Sequence, residues 1–96
     1  MADISTLRDG QRKIDVEGTI SDIAEAREVN LRAGGSARVT EAVLTDQSGS
    51  IKLSLWNDQI EQVKDGSRIR VLNGYTNSFR GEVRVNVGQY GKLEVV

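Results

Sequence analysis

This chain predicts an all-β fold, a small five-stranded barrel with one short helix between its third and fourth strands. Three observations carry that reading. Several stretches alternate apolar and polar residues with period two: I-K-L-S-L-W at 51–56, R-I-R-V at 68–71 and V-R-V-N-V at 83–87. A strand exposes successive side chains to opposite faces, so such runs read as half-buried strands. Turn-forming residues separate the runs, and only 57–66 carries a short helical spacing. At 96 residues the chain is one small domain over 1–96, short enough that its core is limited.

Each element follows in order. After an opening with Ile4, Leu7 and Gly10, residues Lys13 to Ile23 place Ile14, Val16, Gly18 and Ile20 on one face before Ile23 breaks the phase. A phase break beside a mid-strand glycine predicts a β-bulge or sharp coil in a long first strand. Glu28 to Ser36 reads as a polar loop closed by Gly34-Gly35, and Ala37 to Thr45 as the second strand. Asp46-Gln-Ser-Gly49 is a turn that Asp46 can cap, with Gly49 free to take positive φ. Ile51 to Trp56 is the third strand, pointing Ile51, Leu53 and Leu55 inward. Asn57 or Asp58 caps a short helix with Ile60 and Val63 on one face, stopped at Asp65-Gly66. Arg68 to Leu72 is the fourth strand, Asn73 to Gly81 a loop and Glu82 to Val87 the fifth strand. Lys92 to Val96 adds a short closing strand.

Composition narrows the function. Proline, cysteine and histidine are absent, so no disulfide or thiolate metal site is expected, no cofactor is implied, and an enzyme is not expected. The serines lack a base partner, and Asp15 and Glu17 read as surface carboxylates. The N-terminus lacks a signal-type apolar segment and no run approaches a bilayer span, so a cytoplasmic location without a membrane partner is expected. Net charge is −1, but residues 1–48 hold a balance of −3 and residues 49–96 a balance of +2, and the positive half contains every aromatic. That distribution keeps a polyanionic partner in play.

The tryptophan is the most informative residue. On its strand Trp56 shares the outer face with Lys52 and Ser54, an arrangement suited to stacking a base. The alternative is an indole folded over a core edge. Tyr75 and Phe79 fall in the loop between strands four and five, where each could present a ring or pack. Lys52, Arg70, Arg80 and Arg84 lie on outer faces or in that loop and suit phosphates. Arg27, Arg32 and Arg38 would close the groove from the other side, and Asn86 is a polar residue on the outer face of the fifth strand. Five strands with this helix placement match the OB-fold, a Greek-key barrel that binds oligonucleotides or oligosaccharides; the alternative is an SH3-like barrel.

The stretches S-G-S-I-K-L-S-L-W-N-D and G-S-R-I-R-V-L-N-G-Y-T-N-S-F-R-G-E-V-R-V-N-V-G, with I-S-T-L-R-D-G and T-E-A-V-L-T-D-Q-S-G before them, resemble the simple single-stranded DNA-binding proteins of archaea. They are also similar to the single-OB human-type proteins and to domains of archaeal replication protein A. The resemblance covers nearly the whole chain. It implies base stacking at Trp56, Tyr75 and Phe79, and a nucleoid-associated location if the source is archaeal. Some relatives carry a further aromatic where this chain has Asn86. Many relatives continue into a partner-binding tail; with Val96 last, tail-mediated functions are not expected. The expected function is sequence-tolerant binding of single-stranded DNA in replication, recombination or repair, with replication or repair proteins as further partners. An RNA-binding module or a protein-interaction module is the alternative.

Overall fold

The computed structural model describes residues 1–88 and 90–96. A short 3-10 turn, Ile4–Thr6, precedes seven strands: β1 (Ile14–Ser21), β2 (Arg27–Asn30), β3 (Ser36–Asp46), β4 (Gly49–Trp56), β5 (Arg68–Phe79), β6 (Glu82–Asn86) and β7 (Lys92–Val95). One helix, α1 (Asp58–Gln62), lies between β4 and β5. Five strands close a ring in the order β1-β3-β4-β6-β5, with β5 pairing back onto β1. The β4–β6 contact is parallel and the other ring contacts are antiparallel. This is the expected five-stranded OB-type barrel, with β2 added beside β3 and β7 beside β5.

The period-two runs fill the barrel. Val16, Ile20, Leu44, Leu53, Leu55, Ile69, Val71 and Val85 are fully buried. Ile4, Leu7 and Val63 belong to the same core, and half-buried Ile60 packs against it from α1. Removing apolar surface from water is the main favourable term in folding, which is why the alternating pattern sets the fold class.

Several local expectations are corrected. The irregularity in β1 falls between Ile14 and Val16, not at Gly18. Gly18 has a different reason. A Cβ there would stand 2.5 Å from the Thr45 carbonyl oxygen, so only glycine lets β1 pass this close to β3. At Thr19 the strand pairs with both Thr45 of β3 and Arg68 of β5, which is where it serves two sides of the ring. The loop expected over 28–36 is mostly a hairpin, since Arg27–Asn30 pair with Val39–Ser36. Gly49 does not take a positive φ. The Asp46 carboxylate closes that turn itself, accepting from the Ser48 and Gly49 N–H groups and the Ser48 hydroxyl. Asn57 precedes α1 without capping it; its Oδ1 instead accepts from the Arg38 N–H at 3.0 Å.

The largest correction concerns 73–81. That stretch is not a loop: β5 continues through Asn73 to Phe79, with Tyr75 opposite Asn86 and Phe79 opposite Glu82. Only Arg80 and Gly81 form the turn, both at positive φ. Two left-handed residues make the tight hairpin turn whose twist matches the flanking strands.

Candidate nucleic-acid interface

The outer face is assembled from four neighbouring strands and β2. Register places Val39 opposite Trp56, Glu41 opposite Ser54 and Val43 opposite Lys52. Ser54 then lies beside Asn86, and Lys52 beside Arg84. Asn86 faces Tyr75, and Arg84 faces Asn77. Arg27 joins from β2, opposite Val39. Residues directly opposite one another project to the same side of a sheet, so Trp56, Tyr75 and Phe79 occupy one common face.

A shallow groove of about 200 Å³ crosses this face. Trp56 and Phe79 stand along it, Ser54 and Asn86 form its floor, and Arg27 and Arg84 lie at its sides. Tyr75 is on the same face but beyond Asn86, outside the groove proper. The three rings are 36%, 40% and 52% exposed for Trp56, Tyr75 and Phe79. All three are thus partly open to solvent on one face and not sealed into the core.

Each ring is held by its strand. The Trp56 N–H donates to Gln59 Oε1 at 3.1 Å. The next residue, Asn57, turns at φ +50° and returns a hydrogen bond to the Arg38 carbonyl. The end of β4 is therefore tied to β3 on one side and to α1 on the other. Phe79 lies next to two guanidinium groups, with Arg80 at 5.2 Å and Arg84 at 5.0 Å from its ring centre. A cation over an aromatic face is attracted by the ring quadrupole.

The basic residues divide into two sets. Arg84 is only 15% exposed and bonds Glu41 at 2.5 Å, with Glu82 further off at 3.7 Å. It braces Phe79 from below and is not a free cation on the face. Arg70 does not reach the groove at all. It lies where β5 pairs with β1 and β7, bound to Glu17 at 2.9 Å and near Glu94. Hydrogen bonds from Arg70 and then Arg68 hold the Glu17 carboxyl below its ordinary range. Arg38 points to the opposite side of β3 from Val39 and pairs with Glu61 of α1 at 2.7 Å. A one-residue step along a strand reverses the face, which is why Arg38 is lost to the groove while Arg27 lines it. Arg32 sits in the exposed turn at the tip of the β2–β3 hairpin. Lys52 is half-buried on the outer face and lines the adjoining hollow with Glu82 and Val83.

Ser54 and Asn86 are outward-facing yet buried, because the rings and side chains around them close over the centre of the face. Asn86 Nδ2 donates to Asn77 Oδ1 at 3.1 Å. Asn77, in a stretch whose composition suggests a loop, and Glu41, whose partner Arg84 is 43 residues away, carry little local signal of this position. Only the phase of Val39 and Val43 against buried Thr40, Ala42 and Leu44 hints at Glu41 facing outward. Among the described residues no group of three or more histidine, cysteine or acidic side chains could hold a metal ion.

Comparisons with known proteins agree with this geometry. Residues 11–95 match the family described as single-stranded DNA binding protein Ssb-like, OB fold. The chain is 27% identical over 90 residues to the single-stranded DNA binding protein Ssb of Saccharolobus solfataricus, covering 94% of this chain and 60% of that protein. It is 30% identical over 94 residues to replication factor A of Methanothermobacter thermautotrophicus, covering 97% of this chain and 12% of that protein. The chain thus spans less than two thirds of the Ssb relative and about an eighth of the replication factor A relative. Its fold is similar to the OB domain of a Thermoplasma acidophilum protein, with a TM-score of 0.85 at 21% identity over 99% of this chain and 85% of that one. It also superposes on a replication protein A heterotrimer bound to single-stranded DNA, with a TM-score of 0.78 at 15% identity over all of this chain and 24% of that one. With the family match covering nearly all of the barrel, the chain belongs to the Ssb-like OB-fold family of single-stranded DNA-binding proteins.

Proposed function

We propose that this domain binds single-stranded DNA with little sequence preference, by stacking bases on Trp56, Tyr75 and Phe79 and holding phosphates with Arg27, Arg80 and Lys52. The observation that carries the proposal is the common outer face on which all three rings stand partly open. Every base has a π-face, so stacking is blind to sequence and contributes about 1–3 kcal/mol per base. The groove between Trp56 and Phe79 suits an unstacked base and is too shallow to enclose a compact ligand. Membership of the Ssb-like family supports the same ligand. Protection of exposed strands in replication, recombination or repair is the role that such binding would serve.

Trp56 is the only tryptophan, so its fluorescence reports the site directly. Titration with oligo-dT should quench it strongly, with oligo-U and duplex DNA as competitors. Trp56→Ala should weaken oligo-dT binding by about 1–3 kcal/mol while leaving the fold intact. Normal affinity in a folded Trp56→Ala protein, or equal affinity for duplex, overturns the stacking model. Tighter binding of oligo-U would move the assignment to RNA.

A further inference from the structure

A second hollow, larger than the groove, lies nearby. It holds about 500 Å³, and one wall is Tyr75, which pairs opposite Asn86 of the groove. The segment before β1 builds the opposite side by running along the free edge of β5. There the Thr76 N–H donates to the Gln11 carbonyl at 3.0 Å, and the Gln11 N–H donates to Thr76 Oγ1 at 2.9 Å. The Thr76 hydroxyl in turn donates to the Arg8 carbonyl. Thr76 is buried, so this strap is pinned to the barrel. Lys13 then takes φ +53° to turn the chain into β1.

The strap brings Arg12 and Lys13 to the rim of the hollow. Neither forms an ion pair among the described residues. Among the described residues no carboxylate lines the hollow, in contrast to the groove with Glu41 and the hollow beside Lys52 with Glu82. Asp15 lies near in sequence, but its Oδ1 accepts from the Asn73 N–H at 2.8 Å. Tyr90 also lines the hollow, and it is 84% exposed. Its carbonyl accepts from Asn73 Nδ2 at 3.2 Å, which ties it to β5. Gly88 completes the wall: a Cβ there would stand 2.9 Å from Tyr75 Cε1, so the glycine lets the Tyr75 ring lie against the backbone.

We infer that this hollow is a second nucleotide subsite, which takes the strand past Tyr75. Tyr90 stacks on a base there, and Arg12 and Lys13 hold the phosphates beside it. Two rings and two unpaired cations around an open, carboxylate-free hollow are the chemistry of a single-strand path, an aromatic platform beside a positive rim. The inference rests on the single-stranded DNA reading proposed above.

Oligo-dT of two lengths tests it, about four nucleotides to fill the groove alone and about twelve to run beyond it. Both are titrated into the wild type and into Arg12→Ala/Lys13→Ala/Tyr90→Ala, following Trp56 fluorescence. In the wild type the longer strand should bind more tightly. In the variant it should lose about five- to 150-fold, the range of one stacked base, with the short strand unaffected. The magnitude of the salt slope for the longer strand should fall by about 0.7 for each phosphate contact removed. Unchanged short-strand binding also shows that the variant is folded. Wild-type affinity for the longer strand in the variant overturns the subsite, and so does an equal loss for both lengths. If neither length quenches Trp56 in the wild type, the single-stranded DNA reading itself fails, a result distinct from either of those.

Discussion

Phe79 and Arg84 show how one residue can serve a surface without touching what binds there. Arg84 is mostly buried, salt-bridged to Glu41 and packed beneath the Phe79 ring, and its Nε is buried without a hydrogen-bond partner. A guanidinium in this position costs desolvation, which the Glu41 carboxylate and the ring face offset together. Placed 5.0 Å from the ring centre and anchored by Glu41, it supports the Phe79 ring. Arg84→Gln should therefore weaken binding of oligo-dT in the way that Phe79→Ala does, while the dependence of log K on log salt stays as in the wild type. A shallower salt slope in Arg84→Gln would show instead that the guanidinium leaves Glu41 for a phosphate. Arg80, on the exposed turn, should behave in the opposite manner, losing salt dependence with a smaller effect on stacking.

At the scale of elements, the face depends on two joints in the barrel. Gly18 is where β1 crosses between its neighbours, and the Thr45 carbonyl oxygen occupies the space that a side chain would need. Gly18→Ala should cost about 1–3 kcal/mol through overpacking. In a domain of this size that lowers Tm by roughly 4–8 °C per kcal/mol, measurable in a thermal melt. The second joint is the β3–β4 turn. Burial alone would raise the Asp46 carboxyl, but hydrogen bonds from the Ser48 hydroxyl and from the Ile4, Ser48 and Gly49 N–H groups hold it below its ordinary range. A carboxyl lowered on folding stabilises the fold above its unfolded value and loses that contribution as pH falls through the folded one. Stability from Asp46 is thus present at neutral pH and should disappear in acid, below about pH 4. Asp46→Ala should cost about 1–2 kcal/mol at neutral pH and flatten the acid limb of a stability–pH profile. An unaltered acid limb would show that other carboxylates, Glu17 among them, set it.

For the whole molecule, a net charge of −1 means that attraction for a polyanion comes from local arrangement. Glu17, Glu41 and Glu61 hold four arginines in ion pairs: Arg68 and Arg70 share Glu17, Arg84 pairs with Glu41 and Arg38 with Glu61. Arg27, Arg80 and Lys52 remain on the outer face, and Arg12 and Lys13 beside the adjoining hollow. For single strands, log K falls against log salt by about 0.7 per phosphate neutralised. Three contacts predict a slope of about −2, and five predict about −3.5 for a strand that also fills the hollow beyond Tyr75. Duplex DNA should bind far more weakly, because its bases are already stacked and cannot reach the rings. A steep slope with equal affinity for duplex would mean binding to the backbone alone.

How much of this was legible in the sequence follows from the range of each interaction. Alternation is local, so Leu53 and Leu55 against Trp56, and Ile69 and Val71 against Arg68 and Arg70, could be read residue by residue, and with them the strands, the helix position and the barrel. The outward face of Trp56 was legible for the same reason, whereas Tyr75 and Phe79 could be placed near it only as loop residues. Turn chemistry misled at Asn73 to Gly81, where asparagine and glycine suggested a loop. Pairing with β6 overrode that local preference and extended β5 through Phe79. Which arginines stay free could not be read at all. Arg70 meets Glu17 across 53 residues, Arg84 meets Glu41 across 43, and Arg38 meets Glu61 across 23. The sequence by itself determined an alternating barrel with a tryptophan on its outer face, because side-chain direction on a strand is set by neighbours in the chain. Only the tertiary structure decided which charges remain on that face and that the strap before β1 builds a hollow beside Tyr75, because those depend on strand register between segments distant in sequence.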